Sequence, residues 1–233
     1  MKSAIITGAS SGIGLELSRL LINSGYRVFG FGRDFKNDII TSENFTPIIC
    51  DLTDINKLCN QIKEIKKQNE IHLLINNAGV GFFGPHEELN PKKIHEMVAV
   101  NLEVPLVLTQ QLLRDLKKNK GFIINISSVT AKKSSVFGCA YAATKSGLTH
   151  FGESLFDEVR KYGVKVVTIH PDITKTNFYR NANFKEGEGE DTYLNPDEIG
   201  KTVEMILNQR DGIVFTDITI KPQKHMISKK QLL

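Results

Sequence analysis

In the stretch CAYAATKSGL, residues 139–148, a tyrosine and a lysine stand four positions apart among small side chains. On a helix that spacing puts Tyr141 and Lys145 on one face, one turn from each other. A free phenol titrates near pH ~10, too high to exchange protons readily at neutrality. An ammonium held beside it favours the phenolate and lowers that value. A phenol tuned in this way can give a proton to an oxygen or remove one. The competing reading is an ordinary exposed pair, and the elements around the pair have to decide between them.

A second candidate lies at the other end of the chain. TGASSGIG, residues 7–14, follows an apolar run and opens a helical pattern, with glycines at 8, 12 and 14. Gly8 permits a tight turn, while Gly12 and Gly14 let the backbone approach a pyrophosphate and the neighbouring strand. The helix start supplies free N–H groups and partial positive charge, joined by the hydroxyls of Ser10 and Ser11. This strand–turn–helix setting favours a dinucleotide site over a plain glycine turn.

The elements that must carry these residues alternate. Residues 3–7, 26–32, 46–50, 72–76, 121–127, 165–170 and 212–220 read as strands, most of them apolar on both faces. Between them, Ile13, Leu17, Leu20 and Leu21 form one helical stripe, and Ile55, Leu58, Ile62 and Ile65 another. A segment from Pro91 to about Lys118 should bend or break near Pro105; further helices are expected at about 139–162 and from Pro196 to about Asn208. The pattern predicts one α/β domain over residues 1–233: a Rossmann-like, doubly wound, mostly parallel seven-stranded sheet with helices on both faces. Ligands of such sheets bind outside the carboxyl ends of the strands, where these motifs fall.

Composition narrows the class further. The chain is 40% hydrophobic and 24% charged, and its net charge of +4 does not argue for nucleic acid. Its three cysteines and six histidines form no disulfide framework or metal-ligand cluster, so no metal is expected. Neither a signal-peptide pattern nor a membrane-length apolar run is present, and the expected location is the cytoplasm. The lysine-rich tail KPQKHMISKKQLL, from residue 221, reads as a solvated terminus.

With the glycine turn and Tyr141-x-x-x-Lys145 joined by CDLTD (50–54), NNAG (76–79), Asn101 and NISS (125–128), the sequence resembles the classical short-chain dehydrogenase/reductase family along essentially its whole length. The resemblance implies hydride transfer between a nicotinamide and a carbonyl or secondary alcohol, with Tyr141 as proton donor or acceptor. Lys145 and the positive oxidised nicotinamide would together lower the phenol's pKa; a drop of about 3 units corresponds to roughly 4 kcal/mol. Lys145 would also hold the nicotinamide ribose. Ser128, thirteen residues before Tyr141, would orient the substrate oxygen, although Ser127 is adjacent. Asn101 would support a water relaying protons to the lysine.

The resemblance also implies the cofactor contacts. Gly8, Ser10, Ser11, Gly12, Ile13 and Gly14 would cradle the phosphates; Asp51 and Leu52 would line the adenine pocket, and Asn77, Ala78 and Gly79 would pass along the ribose. Pro171, Ile173, Thr174 and Thr176 match positions beside the carboxamide and phosphates. Gly32 stands where relatives preferring NAD carry an aspartate, and Arg33 offers a forked cation to a 2′-phosphate, so NADP(H) is favoured over NAD(H). Asp172 occupies the place of the family's usual glycine. Residues 177–195, with Phe178, Tyr179 and Phe184, are expected to cover the substrate, and Phe82 and Phe83 to add wall. A homodimer or homotetramer is expected through the segments around 91–118 and 139–162. The alternative function is a catalytically silent NADP-binding regulator of the same fold.

Overall fold

A computed structural model describes residues 1–35 and 40–230. Seven strands form one sheet: β1 (Ser3–Thr7), β2 (Arg27–Gly32), β3 (Phe45–Ile49), β4 (Ile71–Asn76), β5 (Phe122–Ile126), β6 (Lys165–Pro171) and β8 (Asp217–Ile220). Their order is β3-β2-β1-β4-β5-β6-β8, and every neighbouring pair is parallel. The chain therefore runs outward from β1 in one direction and from β4 in the other. The crevice between those two strands is the switch point where such sheets bind ligands.

Alternation along β1 shows why both faces must be covered. Ile5 packs with Leu58, Ile62, Leu108, Leu112 and Leu155, which come from α2 (Ile55–Gln68), α4 (Val104–Asn119) and α5 (Cys139–Val159). Its neighbours Ala4 and Ile6 point the other way, toward Leu17 and Leu21 of α1 (Gly12–Asn23) and Val203 and Ile206 of α6 (Pro196–Leu207). A strand buried on both faces has no polar side to show, which explains its unbroken apolar run.

The segment opening at Pro91 is interrupted, but ahead of the proline. Helix α3 (Pro91–Val98) passes into a π-helical turn over Ala99–Glu103, and Pro105 lies in the first turn of α4. Proline has no N–H, and its ring crowds the carbonyl four residues back. The distortion thus falls on Asn101 rather than on Pro105.

Two elements were not anticipated. Strand β7 (Phe184–Glu186) pairs antiparallel with β9 (Ile227–Lys229), and the last sheet strand is shorter than expected, beginning only at Asp217. The tail is exposed at most positions of residues 221–230, as expected, but it is tied down: the Lys230 ammonium donates to the carbonyls of Tyr179 (2.6 Å) and Arg180 (3.3 Å), and Lys224 meets Asp191 at 2.7 Å. Residues 231–233 of that tail lie outside the described residues. No helix among the described residues is long and apolar enough to cross a membrane.

Candidate active site

The carboxyl ends of the strands surround a cavity of about 530 Å³. At its centre the turn after β1 is tied to the end of β4. Thr7 Oγ1 accepts from the N–H groups of Asn77 and Ala78, both at 3.0 Å, and the Asn77 side chain donates to the Thr7 carbonyl at 2.8 Å. Gly8 and Gly12 adopt left-handed φ values of +68° and +55°. A Cβ on Gly8 would lie 3.0 Å from the Ala78 backbone, and one on Gly14 would strike the Gly8 carbonyl. Ser11, the residue before α1, makes no capping bond with its side chain, which leaves its hydroxyl for a ligand at the helix start.

One half of the cavity is bordered by Gly8, Ser10, Ser11, Gly12, Ile13, Arg33, Asp51 and Leu52. Hydrogen bonds from the Thr53 backbone and hydroxyl hold the Asp51 carboxyl below its usual range, with Arg33 adding to the effect. Asn77, Ala78, Gly79, Pro171, Thr174 and Thr176 border the middle. Three sequence-predicted residues do not border it. Gly14 is buried beneath the turn, where it lets α1 approach; Ile173 is core, its carbonyl accepting from Leu194 at 2.8 Å; Asn101 stands behind the wall.

The other half holds the catalytic candidates. Helix α5 buries Tyr141, Lys145, Leu148, Thr149 and Gly152 along one side. Gly152 seats that side on the sheet, since a Cβ there would come within 3.0 Å of the Asn125 amide. Ser127 and Ser128 diverge, as extended backbone at the end of a strand dictates. The Ser127 hydroxyl bonds the Lys145 carbonyl at 3.1 Å and the Thr149 hydroxyl at 2.9 Å, whereas the Ser128 hydroxyl accepts from the Thr130 N–H at 3.2 Å and the Thr130 hydroxyl at 3.0 Å and borders the cavity with Tyr141. Ser128, the residue the thirteen-position spacing singles out, thus borders the cavity with Tyr141, while the Ser127 hydroxyl is held by α5.

Asn101 is fully buried and clamps a neighbouring loop. Its Oδ1 accepts from Val80 N at 2.8 Å; its Nδ2 donates to Val80 O at 2.9 Å and to Thr144 Oγ1 at 3.1 Å. The π turn thereby links α3–α4 to α5 beside the lysine.

The expected lowering of the Tyr141 phenol is not what this state of the site shows. Burial pushes its pKa up, opposed by the Ser128 hydroxyl. The Lys145 ammonium lies 5.9 Å from the phenol ring centroid and donates instead to the Ile126 carbonyl at 2.8 Å. Burial also lowers Lys145, to about 8. Tyr141 therefore holds its proton firmly, while Lys145 is poised near neutrality.

Two further features were not read from the sequence. Behind Ser128, the buried His170 ring sets Nδ1 3.2 Å from the Ser128 carbonyl and Nε2 2.8 Å from Asp217, which also pairs with Lys132. A carbonyl and a carboxylate only accept, so both contacts are hydrogen bonds only when the ring carries two protons. Burial opposes that charge and draws His170 below its usual value, with Asp217 pulling the other way. The second feature is the packing of the expected cover and wall aromatics against one another and against the phenol ring, which the sequence did not specify. Phe83 and Phe178 stand 5.5 and 5.6 Å from the Tyr141 ring, and Tyr179 meets Phe178 and Phe184 at 5.2 and 5.3 Å. Phe82 turns away, under Lys93. Among the described residues no group of three or more His, Cys, Asp or Glu side chains is placed to hold a metal ion.

The cavity fits a dinucleotide: glycine turn, bare helix start and Arg33 at one end, Tyr141 and Lys145 at the other. Comparison with known proteins agrees. Residues 2–187 match the family described as short chain dehydrogenase. A probable short-chain type dehydrogenase/reductase VdlC of Helicobacter pylori is 33% identical over 197 residues, covering 81% of this chain and 70% of that protein. A metagenomic short-chain oxidoreductase solved with NADP superposes with a TM-score of 0.80 at 28% identity, covering 95% of this chain and 97% of that one. The short chain dehydrogenase of Leptospira borgpetersenii serovar Hardjo-bovis, solved with NAD+, gives 0.83 at 26% identity, covering 95% and 92%. With the all-parallel sheet, the glycine turn and the Tyr141–Lys145 face all in place, the chain belongs to the short-chain dehydrogenase/reductase family of oxidoreductases.

Proposed function

We propose that the protein is an NADPH-preferring oxidoreductase that interconverts a carbonyl and a secondary alcohol, with Tyr141 as its proton donor and acceptor. The observation that carries this reading is the meeting of Tyr141, Ser128 and Lys145 at one end of a cavity whose other end is the glycine turn. A reduced nicotinamide bound there supplies the hydride. The Ser128 hydroxyl orients the carbonyl oxygen, and Tyr141, kept protonated by burial, gives its proton to that oxygen as charge develops on it. Lys145, drawn down to about 8 by burial, restores the phenol's proton. Asn101 acts by holding Val80 and Thr144, the latter one helix position before Lys145. Residues 177–195 cover the substrate, with Phe178 and Tyr179 as the inner surface.

The cofactor preference rests on two neighbours in β2 and the loop after it. Arg33 is exposed on the cavity rim, suited to a 2′-phosphate. A Cβ on Gly32 would lie 3.0 Å from Ser10 Cβ and 3.1 Å from the Phe35 ring, so an acidic residue that would repel that phosphate is crowded out. Supporting assembly as a homodimer or homotetramer, Val98 and Leu106 expose apolar surface along α3–α4.

The test is the thermal midpoint with NADPH, NADH or neither, followed by substrate-dependent NADPH oxidation in wild type and Tyr141→Phe. A ligand at a hundredfold excess over its Kd stabilises the folded state by about 2.7 kcal/mol. A larger shift with NADPH is expected; a larger shift with NADH overturns the preference alone. Binding without turnover of any carbonyl leaves the regulator as the better reading.

A further inference from the structure

Asp172 follows β6 and borders the same cavity as Tyr141, Phe178 and Tyr179. Its side chain is 8% exposed. A carboxylate so withdrawn from water calls for a compensating cation and hydrogen bonds. What surrounds it falls short of that. Oδ1 accepts from the Ile173 N–H at 2.9 Å, and among the described residues its one ion-pair partner is His225 Nδ1, at 3.7 Å. That imidazole is 60% exposed and carries charge only when protonated. Of the other cations bordering the cavity, Lys145 donates to the Ile126 carbonyl and Arg180 to the Asn177 carbonyl at 3.4 Å, while Arg33 stands at the glycine-turn end. The Asp172 charge is felt inside the chamber, because it contributes to raising the Tyr179 phenol. Phe178 and Tyr179 border the same cavity, and aromatic faces attract cations.

An under-compensated carboxylate and aromatic faces in one chamber are the chemistry that recognises an ammonium group. We propose that the substrate is a ketone carrying a protonated amine, or the matching amino alcohol, with its ammonium held by Asp172 in the aromatic-walled end of the cavity. This rests on the oxidoreductase reading above and adds the substrate class to it. The bond changes are those of that reaction: hydride to the carbonyl carbon, the Tyr141 proton to its oxygen, and the ammonium unchanged.

The test compares three phenyl ketones of matched shape: 3-aminopropiophenone, protonated at neutral pH, the neutral butyrophenone, and the anionic 3-benzoylpropionate. Each is assayed with the dinucleotide that binds more tightly. The expected result is a kcat/KM for the ammonium ketone about tenfold or more above the neutral one, collapsing in Asp172→Asn. Calorimetric binding of 3-amino-1-phenylpropan-1-ol to the enzyme–dinucleotide complex should be lost in the same variant, while the dinucleotide Kd is unchanged. If turnover is too slow to measure, that binding decides. Equal use of charged and neutral ketones overturns the proposal and leaves the oxidoreductase intact, as does a preference that survives Asp172→Asn. Preference for the anion also overturns it and gives the recognition role to Arg180. Dinucleotide binding with no reduction of any ketone, and no binding of the amino alcohol, sinks both readings.

Discussion

Two side chains on one helix face ended in different electrostatic places. Tyr141 and Lys145 share their burial but respond in opposite directions, because burial disfavours the charged form of each: the phenol is held up and the ammonium drawn down to about 8. Replacing Tyr141 by Phe keeps the ring contacts with Phe83 and Phe178 and removes only the hydroxyl. It should lower kcat by about a hundred- to ten-thousand-fold with the dinucleotide Kd unchanged, as steady-state kinetics and a fluorescence titration will report. Lys145 makes a prediction about stability. Its pKa is lower folded than unfolded, so between about pH 8 and 10.5 the unfolded chain binds more protons and unfolding free energy rises with pH. The rise is of order 3 kcal/mol. Tyr141, raised by folding, acts in the opposite sense above pH ~10, which leaves pH 8 to 10 as the window for Lys145. Lys145→Met should flatten the denaturation midpoint across that window, and an unchanged slope would refute the buried-ammonium account.

At the scale of elements, the break at Asn101 and the ribbon over the site make the testable claims. Pro105→Ala returns a donor to the helix and relieves the crowding that displaces the turn. The segment should straighten, pull Asn101 off Val80 and lower kcat by about tenfold or more without loss of thermal stability. Deleting residues 222–233 removes β9 and the Lys224 and Lys230 contacts. It should raise KM several-fold, by about half a decade or more, and speed proteolysis between residues 182 and 193. The seven sheet strands and the helical segments, with α3 and α4 read as one bent or broken stretch, were legible because each carries a run or repeat of apolar positions long enough to recognise. Strands β7 and β9 were not: three residues show no alternation, and a run of lysines does not reveal which carbonyls it will meet. The Pro105 signal was read correctly but placed late, since a proline acts on the turn before it. Among the proposed site residues, Tyr141, Lys145 and Ser128 were nominated by spacing, and all three border the cavity. His170 was missed because its partners, Ser128 and Asp217, lie 42 and 47 positions away.

For the whole molecule, the parallel sheet fixes what must come together late. Each crossover spans a helix, so the contacts that build the cavity are distant in sequence, and folding should be slow relative to a helical bundle of this size. The proposed assembly makes a further prediction: Leu106→Glu, on the exposed side of α4, should shift sedimentation toward the monomer if that face is an interface. An unchanged profile would place the contact elsewhere. The ribbon of β7 with β9 has a consequence of another kind. The proposed substrate cover is tied by two stretches about forty positions apart, so neither can lift without unzipping the other. The amides of Phe184–Glu186 and Ile227–Lys229 should therefore exchange with solvent as one cooperative unit. Changes in substrate choice should accordingly arise as readily from residues 224–230 as from the chamber wall itself.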